Sequence, residues 1–487
     1  MSQTSARILV FFTAAAVLVL EILAGRLMAP FVGVTLETFT GIIGTVLAGI
    51  AMGAWLGGRA ADQNPPEKLL GPILIAGGIL ALLSPTIVAI FGPLLRGGDP
   101  IQIVLLAALA FFLPALVLSA VTPVVVKLQL EDLAETGTIV GRYSAIGTAG
   151  AIFGTFFTGF VLIAALPSRP ILLFVGAVLV VWGLALVART KTLATGGMAV
   201  LTAVATVAGG AMAVAQGPCE SETTYYCARV TTDEIRPSGR ILWLDTLRHS
   251  YVDLEDPTYL QFRYSRIVDD IVATQVEPGP LDALYIGGGG FTLPRWLSAI
   301  RPGSTNTVLE LDEGLVTIAE ERLGLDQDQI DEIMIGDARL TLQQTPEARF
   351  DLVVGDAFGG PSVPWHLTTT EFMDDMRDRL RPGGMYVMNM IDYPPSSFAK
   401  AMGATLGSVF DHVMVIAPPN YLDGTRGGNF VFAASDNPFD AGAVTAAIAA
   451  RGAESIAIVG LELDEWVGAA DPLTDAFAPV DQLISRP

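Results

Sequence analysis

Seven long runs of apolar residues succeed one another in the first 215 positions: Ile8 to Phe31, Phe39 to Leu56, Leu69 to Leu95, Ile101 to Val126, Ile139 to Leu166, Ile171 to Ala188 and Leu193 to Ala215. Each reaches the roughly 17 to 25 residues that a helix needs to cross hydrocarbon, so the pattern predicts seven spanning helices. The first run is too long for a secretory signal core, has no small-residue cleavage pattern and is followed by further spans, so it is expected to be retained. Beyond residue 218 the period changes. Tyr225 to Tyr264 is rich in β-branched and aromatic residues and is broken by Pro237-Ser238-Gly239, which predicts a small unit of strands joined by a turn. From Leu281 short apolar strands alternate with helical stretches: Leu281 to Ile286, Thr307 to Leu311, Glu332 to Ile335, Phe350 to Val354 and Met385 to Met390. That alternation predicts a doubly wound parallel sheet, whose ligands bind at the carboxyl ends of the strands. Arg381-Pro382-Gly383-Gly384 reads as the turn into the fifth strand, Val413 to Ile416 and Asn429 to Ala433 as a closing antiparallel pair, and Ala441 to Arg451 as a surface helix. The chain thus divides into a helical membrane bundle (1–218), a β-stranded unit (219–270) and an α/β domain (271–487).

Composition sharpens this division. The mean hydropathy of +0.54 over 487 residues is far above that of a soluble enzyme. Residues 1–218 hold 10 Lys and Arg against 8 Asp and Glu, which leaves 18 against 41 beyond them, net charges of +2 and −23. With the N-terminus in the cytoplasm, the inner loops carry Arg7, Arg59, Lys68, Lys127, Arg142, Arg189 and Lys191 and the outer ones only Arg26, Arg96 and Arg169, which favours that orientation. Seven spans then place the acidic domain outside the cytoplasm. The two cysteines of the chain, Cys219 and Cys227, lie just past the last span, and a disulfide between them would suit an oxidising compartment, two free thiols being the alternative. Glycines crowd the spans (Gly41, Gly44, Gly49, Gly53 and Gly57; Gly147, Gly150, Gly154 and Gly159), where they permit close helix packing. Glu21 and Arg26, near the end of the first span, are expected to form a structural pair or to reach the interface. Gly57-Gly58-Arg59-Ala60-Ala61-Asp62 resembles a loop of the major facilitator superfamily over six residues, though seven spans fall short of that family's twelve.

The stretch that carries chemistry runs from Leu281 to Glu310. An apolar strand ends in Gly287-Gly288-Gly289-Gly290, where the backbone can approach a ligand closely, and an acid closes the next strand about 20 residues on. Such an acid suits the two hydroxyls of a ribose. Asp337 and Asp356 also end strands, a placement that scattered carboxylates would rarely adopt. A tight turn in some unrelated α/β domain is the alternative.

Leu244-Asp245, Tyr264, Ile286-Gly287-Gly288-Gly289-Gly290, Leu309-Glu310-Leu311-Asp312, Gly336-Asp337-Ala338 and Gly355-Asp356-Ala357-Phe358 together resemble the ordered motifs of the spermidine synthases, the polyamine aminopropyltransferases. The likeness covers most of residues 222–435, and with the helical half attached the chain resembles bacterial membrane forms of that family. The resemblance implies a class I methyltransferase-like sheet preceded by a β-stranded unit. It also implies that Glu310 holds ribose, Asp337 with Ala338 the adenine, and the loop Gly287 to Gly290 the tail of the nucleoside. No permanent cofactor is implied. Decarboxylated S-adenosylmethionine, or S-adenosylmethionine itself, would be a co-substrate, and a polyamine or other small amine the acceptor.

Aminopropyl transfer displaces a sulfonium leaving group already activated for departure, so the protein has to deliver a neutral amine in line and take its proton. Asp356 is the candidate base and Tyr264 its partner. An acidic cleft would concentrate a polycationic substrate. Three departures from the family pattern bear on the substrates. Gly290 stands where the family reads an acid in Gly-Gly-Gly-Asp-Gly; Asp356-Ala357-Phe358-Gly359 keeps the first acid of Asp-Ser-Ser-Asp and loses the second; His249 replaces a glutamine. His249 and His366 are candidate proton acceptors in place of the lost carboxylates, with ordinary loop histidines as the alternative. Trp365 is placed to stack on adenine or to form a lid. No metal ligand spacing is present. The expected partners are the lipid bilayer, a small-molecule amine and further copies of the chain in a homo-oligomer such as a dimer; a −23 domain without a basic patch excludes nucleic acid. Against the enzyme stands a polyamine or nucleoside transport or sensing protein with a non-catalytic synthase-like domain, and a methyltransferase on the same fold is a third reading.

Overall fold

The computed structural model describes residues 1–97, 99–191, 195–214, 217–326, 329–358 and 363–485. It divides into two units, Met1–Arg229 and Val230–Pro487. In the first, six helices among the described residues are long and apolar enough to cross a membrane: Gln3–Val32, Leu36–Gln63, Pro66–Leu94, Pro100–Gln129, Leu133–Ala165 and Ser168–Thr190. The seventh predicted run forms a helix at Thr195–Val214, of which Val200–Ala211 is a shorter apolar stretch; residues 193, 194 and 215 of that run lie outside the described residues.

Small residues let these helices meet backbone to backbone. Gly49, Gly53 and Gly57, four apart on one face of Leu36–Gln63, lie against Pro100–Gln129: a Cβ on Gly49 would sit 2.9 Å from the Phe112 carbonyl oxygen, and one on Gly53 would overlap the Leu116 carbonyl. Gly150 and Gly154 meet Phe11 and Ala15 of the first helix in the same way, whereas Gly44 and Gly159 face open space. Gly53→Val is therefore expected to lower the thermal midpoint of the purified protein, overpacking costing about 1–3 kcal/mol or more, while Gly44→Val leaves it in place. Equal midpoints for the two variants would refute this packing account. Pro114 cannot donate to the carbonyl of Ala110, four residues back, and the buried Ser84 donates to it from the third helix at 2.7 Å.

Arg26 is paired with Glu222 rather than Glu21. Its Nε lies 2.8 Å from Glu222 Oε1, and its other nitrogens donate to the carbonyls of Thr223 and Thr224. Ser168 donates to the same carboxylate through its backbone and its hydroxyl, so this charged group has a structural task. Gly57 to Asp62 lie inside the helix Leu36–Gln63, not in a loop, and Asp62 pairs with Lys127 at 2.9 Å. Cys219 and Cys227 are disulfide-bonded across the hairpin whose strands pair Glu222 with Cys227.

A small sheet has its strands in sequence order, β1 (Ser221–Glu222), β2 (Cys227–Thr232), β3 (Gly239–Leu244) and β4 (Leu247–Asp253), with β1 antiparallel to β2 and β3 to β4. The predicted β unit stops there. Arg263–Gln275 is a helix that buries Ile267, Val268, Ile271 and Val272, and Tyr264 stands in its first turn.

The large sheet comes next: β5 (Asp282–Ile286), β6 (Thr305–Glu310), β7 (Glu332–Ile335), β8 (Phe350–Gly355), β9 (Leu380–Asp392), β10 (His412–Ala417), β11 (Gly428–Ser435) and β12 (Ile456–Val459), in the order β12-β10-β11-β9-β8-β5-β6-β7. Strands β5 to β9 are parallel, but β11 lies antiparallel to β9 and β10 to β11, so the sheet is mixed, with β12 as an edge strand that the sequence pattern did not predict. Arg381 to Gly384 form an irregularity within β9, whose pairing with β8 jumps from Phe350↔Leu380 to Leu352↔Met385. One face packs the helices Thr370–Arg379 and Ser397–Val409 through Phe372, Met376, Phe398 and Met402. The strand order reverses between β8 and β5. A doubly wound sheet opens a crevice at its carboxyl edge where that happens.

Candidate active site

The strand order sets the predicted acids in a row. Reading from β8 through β5 and β6 to β7, the residues that leave the sheet are Asp356, Gly287, Glu310 and Asp337, spaced by neighbouring strands about 4.8 Å apart. Backbone bonds stitch this edge: Asp356 donates to Ile286, Gly287 to Leu309 and Gly336 to Glu310, all at 2.8–2.9 Å. Gly287 takes φ +92°, and a Cβ there would lie 2.8 Å from the Asp356 carbonyl oxygen, so only glycine lets the two strand ends come so close.

Glu310 is 5% exposed and is held by the loop itself. Its Oε2 accepts from the amides of Gly288 (2.8 Å) and Gly289 (3.1 Å), and its Oε1 from that of Asp312 (2.9 Å). Burial raises its pKa, and those three amides oppose the rise. This carboxylate thus shapes the glycine loop as well as standing where a ribose would be met.

Asp337 caps the short helix Ala338–Leu342 by accepting from the Arg339 amide at 2.9 Å, and its other oxygen meets His366 Nε2 at 2.9 Å. His366 therefore stands at the Asp337 end of the row and not beside Asp356, where a substitute base would be needed. Trp365, 51% exposed, meets the His366 ring edge-on. The segment Leu473 to Pro479, to which the sequence assigns no chemistry, supports this end: Asp475 grips Arg339 through two bonds of 2.6–2.7 Å and accepts from Thr369 at 2.8 Å.

At the other end Asp356 is enclosed by donors. Tyr264 donates to its Oδ2 and Asn389 to its Oδ1, both at 2.8 Å, and Asn429 of β11 donates in turn to the Asn389 amide oxygen at 2.9 Å. Burial is the largest influence on Asp356 and raises its pKa to about 6, against the lowering effect of the two donors. The Tyr264 hydroxyl is pushed well above its ordinary value, by burial and then by the Asp356 charge, so it remains a donor. A raised acid of this kind favours the fold below its unfolded value near 3.8, and that contribution is lost as the pH rises through about 6. The site holds its carboxylate at the expense of stability. If Asp356 is the base, activity should climb with pH through about 6, and Tyr264→Phe should move that limb upward, because a lost donor leaves the charged form less favoured. A limb unmoved in the variant would show that another group titrates.

A cavity of about 200 Å³ opens beside Asp356, walled by Leu247, Phe262, Phe358 and Ile391, with Arg248 and Arg263 also in its lining. Of the three strand-end acids, Asp356 is the one in its described lining. This cavity is not acidic, despite the charge of the domain. His249 lies on its wall and over the loop, its Nδ1 3.2 Å from the Ser250 hydroxyl. Burial pushes it down to about 4, so at neutral pH the ring is uncharged and a poor proton acceptor. The same Ser250 hydroxyl accepts from the Gly290 amide at 3.0 Å, and a Cβ on Gly290 would lie 2.8 Å from Ser250 Cβ. The acid missing at 290 is therefore matched by strand β4 closing over its place. Gly359 lies outside the described residues.

Asn389 and Asn429 are absent from the sequence reading. The available signal was a lone amide within the apolar run Met388-Asn389-Met390: a buried amide requires partners. Among the described residues no group of three or more His, Cys, Asp or Glu side chains is placed to hold a metal.

No protein-family model matches the chain. Among solved structures, a probable spermidine synthase from Corynebacterium glutamicum matches 55% of this chain and 98% of its own length, at 27% identity and a TM-score of 0.50. The α/β half is similar in sequence and fold to spermidine synthases. Curated relatives agree: a polyamine aminopropyltransferase of Vibrio vulnificus is 29% identical over 162 residues, 33% of this chain and 52% of the relative. A probable polyamine aminopropyl transferase of Bifidobacterium longum is 31% identical over 130 residues, 26% of this chain and 28% of the relative. The chain thus spans about half or less of these curated relatives. The glycine loop, the strand-end acids and Tyr264 carry the resemblance to spermidine synthases, and Gly290 and His249, the points of departure from it, both lie against Ser250.

Proposed function

We propose that the chain is a membrane-bound transferase that moves an aminopropyl or related group from a sulfonium nucleoside to an amine. The observation that carries this reading is the Asp356 carboxylate, held by Tyr264 and Asn389 at the wall of a cavity and raised to about 6. The nucleoside lies along the carboxyl edge, its adenine toward Asp337, its ribose toward Glu310 and its sulfonium near Gly287. The amine nitrogen forms a bond to the methylene carbon next to sulfur. The carbon–sulfur bond breaks with its electron pair going to sulfur, which releases methylthioadenosine, and the proton of the attacking nitrogen passes to Asp356. A base of pKa about 6 is mostly ionised at neutral pH and still takes up a proton in a dry site. Tyr264 and Asn389 orient its two oxygens.

The six long apolar helices support anchoring in a bilayer. The helix Thr195–Val214, with 20 residues, is long enough to be a seventh span, and the Cys219–Cys227 disulfide favours an oxidising compartment for the polypeptide on its C-terminal side. We therefore assign the α/β half to the extracytoplasmic face. Purified full-length protein supplied with decarboxylated S-adenosylmethionine and a panel of amines should release methylthioadenosine together with an acceptor heavier by the transferred group, both read by mass spectrometry. Tight binding of methylthioadenosine with no product from any acceptor would instead leave a nucleoside-binding domain without turnover.

A further inference from the structure

The cavity beside Asp356 has a charge pattern that suits no simple polyamine. Its described lining contains one carboxylate, Asp356, and two guanidinium groups, on Arg248 and Arg263. Arg248 lies over the Phe262 ring at 5.1 Å and the Tyr251 ring at 5.8 Å; Arg263 lies over the Tyr421 ring at 5.7 Å and donates to its hydroxyl at 3.3 Å. These are contacts with π faces and a phenol. Neither guanidinium has a carboxylate within ion-pair distance among the described residues. The acid that senses Arg248 through space, Asp233, is itself bonded to Tyr251 and to the amide of Ile235. Leu247, Phe262, Phe358 and Ile391 give the lining its apolar surface, beside His249, Tyr264, Asn389 and Asn429. A diamine laid along this cavity with one nitrogen at Asp356 would bring its second ammonium toward two like charges, an unfavourable approach that solvent tempers at these exposed arginines.

We propose that the reacting pair brings an anionic group, a carboxylate, into this cavity, and that Arg248 and Arg263 receive it. The inference rests on the proposed transfer reaction and narrows it. A planar guanidinium fork is suited to a carboxylate, and two of them offer more than one bidentate geometry. The carboxylate has two chemical sources. It belongs to the acceptor if that is an amino acid with a methylene chain between its groups, or to the donor if that is S-adenosylmethionine with its own carboxylate retained. In both cases a nitrogen–carbon bond forms as the carbon–sulfur bond of the sulfonium breaks, and methylthioadenosine is the common product.

The test uses the full chain in detergent and reads methylthioadenosine release from three pairs. Decarboxylated S-adenosylmethionine with 4-aminobutyrate carries the carboxylate on the acceptor. S-adenosylmethionine with putrescine carries it on the donor. Decarboxylated S-adenosylmethionine with putrescine has none and differs from the first pair by one terminal group. One of the first two pairs is expected to exceed the third at least tenfold in kcat/KM, and which one it is identifies the source. The double variant R248E/R263E should cut that ratio at least tenfold, with methylthioadenosine binding by calorimetry as the check on folding. The comparison in the unaltered protein decides the matter even if the variant fails to fold. A fastest rate with the pair lacking a carboxylate would overturn the inference and leave the transferase intact. No release from any pair, with methylthioadenosine still bound, would remove both.

Discussion

Asp356→Asn is expected to lower kcat/KM for methylthioadenosine release by about 10³-fold, within the range of roughly 10²–10⁴ that a positioned base supplies. The substitution keeps the size of the side chain and an oxygen that can accept from Tyr264 or Asn389, but it removes the atom that takes the proton. Affinity for methylthioadenosine, which contains no attacking amine, should stay within a few-fold of the parent. The thermal midpoint at pH 8 should be no lower, because the parent carries there a buried charge that burial disfavours. Together these readouts separate loss of a proton acceptor from loss of the fold. A variant that retains a tenth of the parent's rate would move the base to another residue.

Glu310→Ala should act on binding, and on the loop first. Three backbone amides, those of Gly288, Gly289 and Asp312, donate to this one buried carboxylate. Each loses its acceptor in the variant, and an unsatisfied buried donor costs about 1–3 kcal/mol. A loop that loosens around glycines has much conformational freedom to regain, so preorganisation for the nucleoside goes with it. The expected result is a lower thermal midpoint and a loss of methylthioadenosine affinity of about 100-fold or more, equivalent to at least about 2.7 kcal/mol. Affinity within threefold of the parent would show that the carboxylate neither shapes the loop nor meets the ligand.

The sequence made the parallel half of the sheet easy to read because its signals are local. An apolar strand, a break and a helix recur within about 30 residues, and β7 falls on the predicted Glu332 to Ile335. The antiparallel strands were legible as a pair, but their insertion as β9-β11-β10 depends on long-range pairing that no local period records. Tyr264 was assigned to a strand by its aromatic surroundings, although Ile267, Val268, Ile271 and Val272 just beyond it keep a helical spacing. The acids at strand ends could be listed from sequence; their partners could not. Asn389 and Asn429 are 40 positions apart and meet only because β11 lies beside β9. The charge of the cavity was the hardest feature to foresee. A strongly acidic domain presents two arginines there, since net charge says nothing about which few side chains a particular hollow selects.

The packing of Gly290 against Ser250 also constrains how this loop can change over time. An aspartate introduced at 290 on its own would drive its Cβ against Ser250 Cβ of strand β4, so an engineered change there calls first for glycine at 250, the one residue without that atom. The same serine hydroxyl anchors the loop amide and touches His249, so that first step loosens two neighbours before any benefit arrives. The two loop chemistries are thereby coupled to the residue at 250, and a change at 290 is not a single independent substitution.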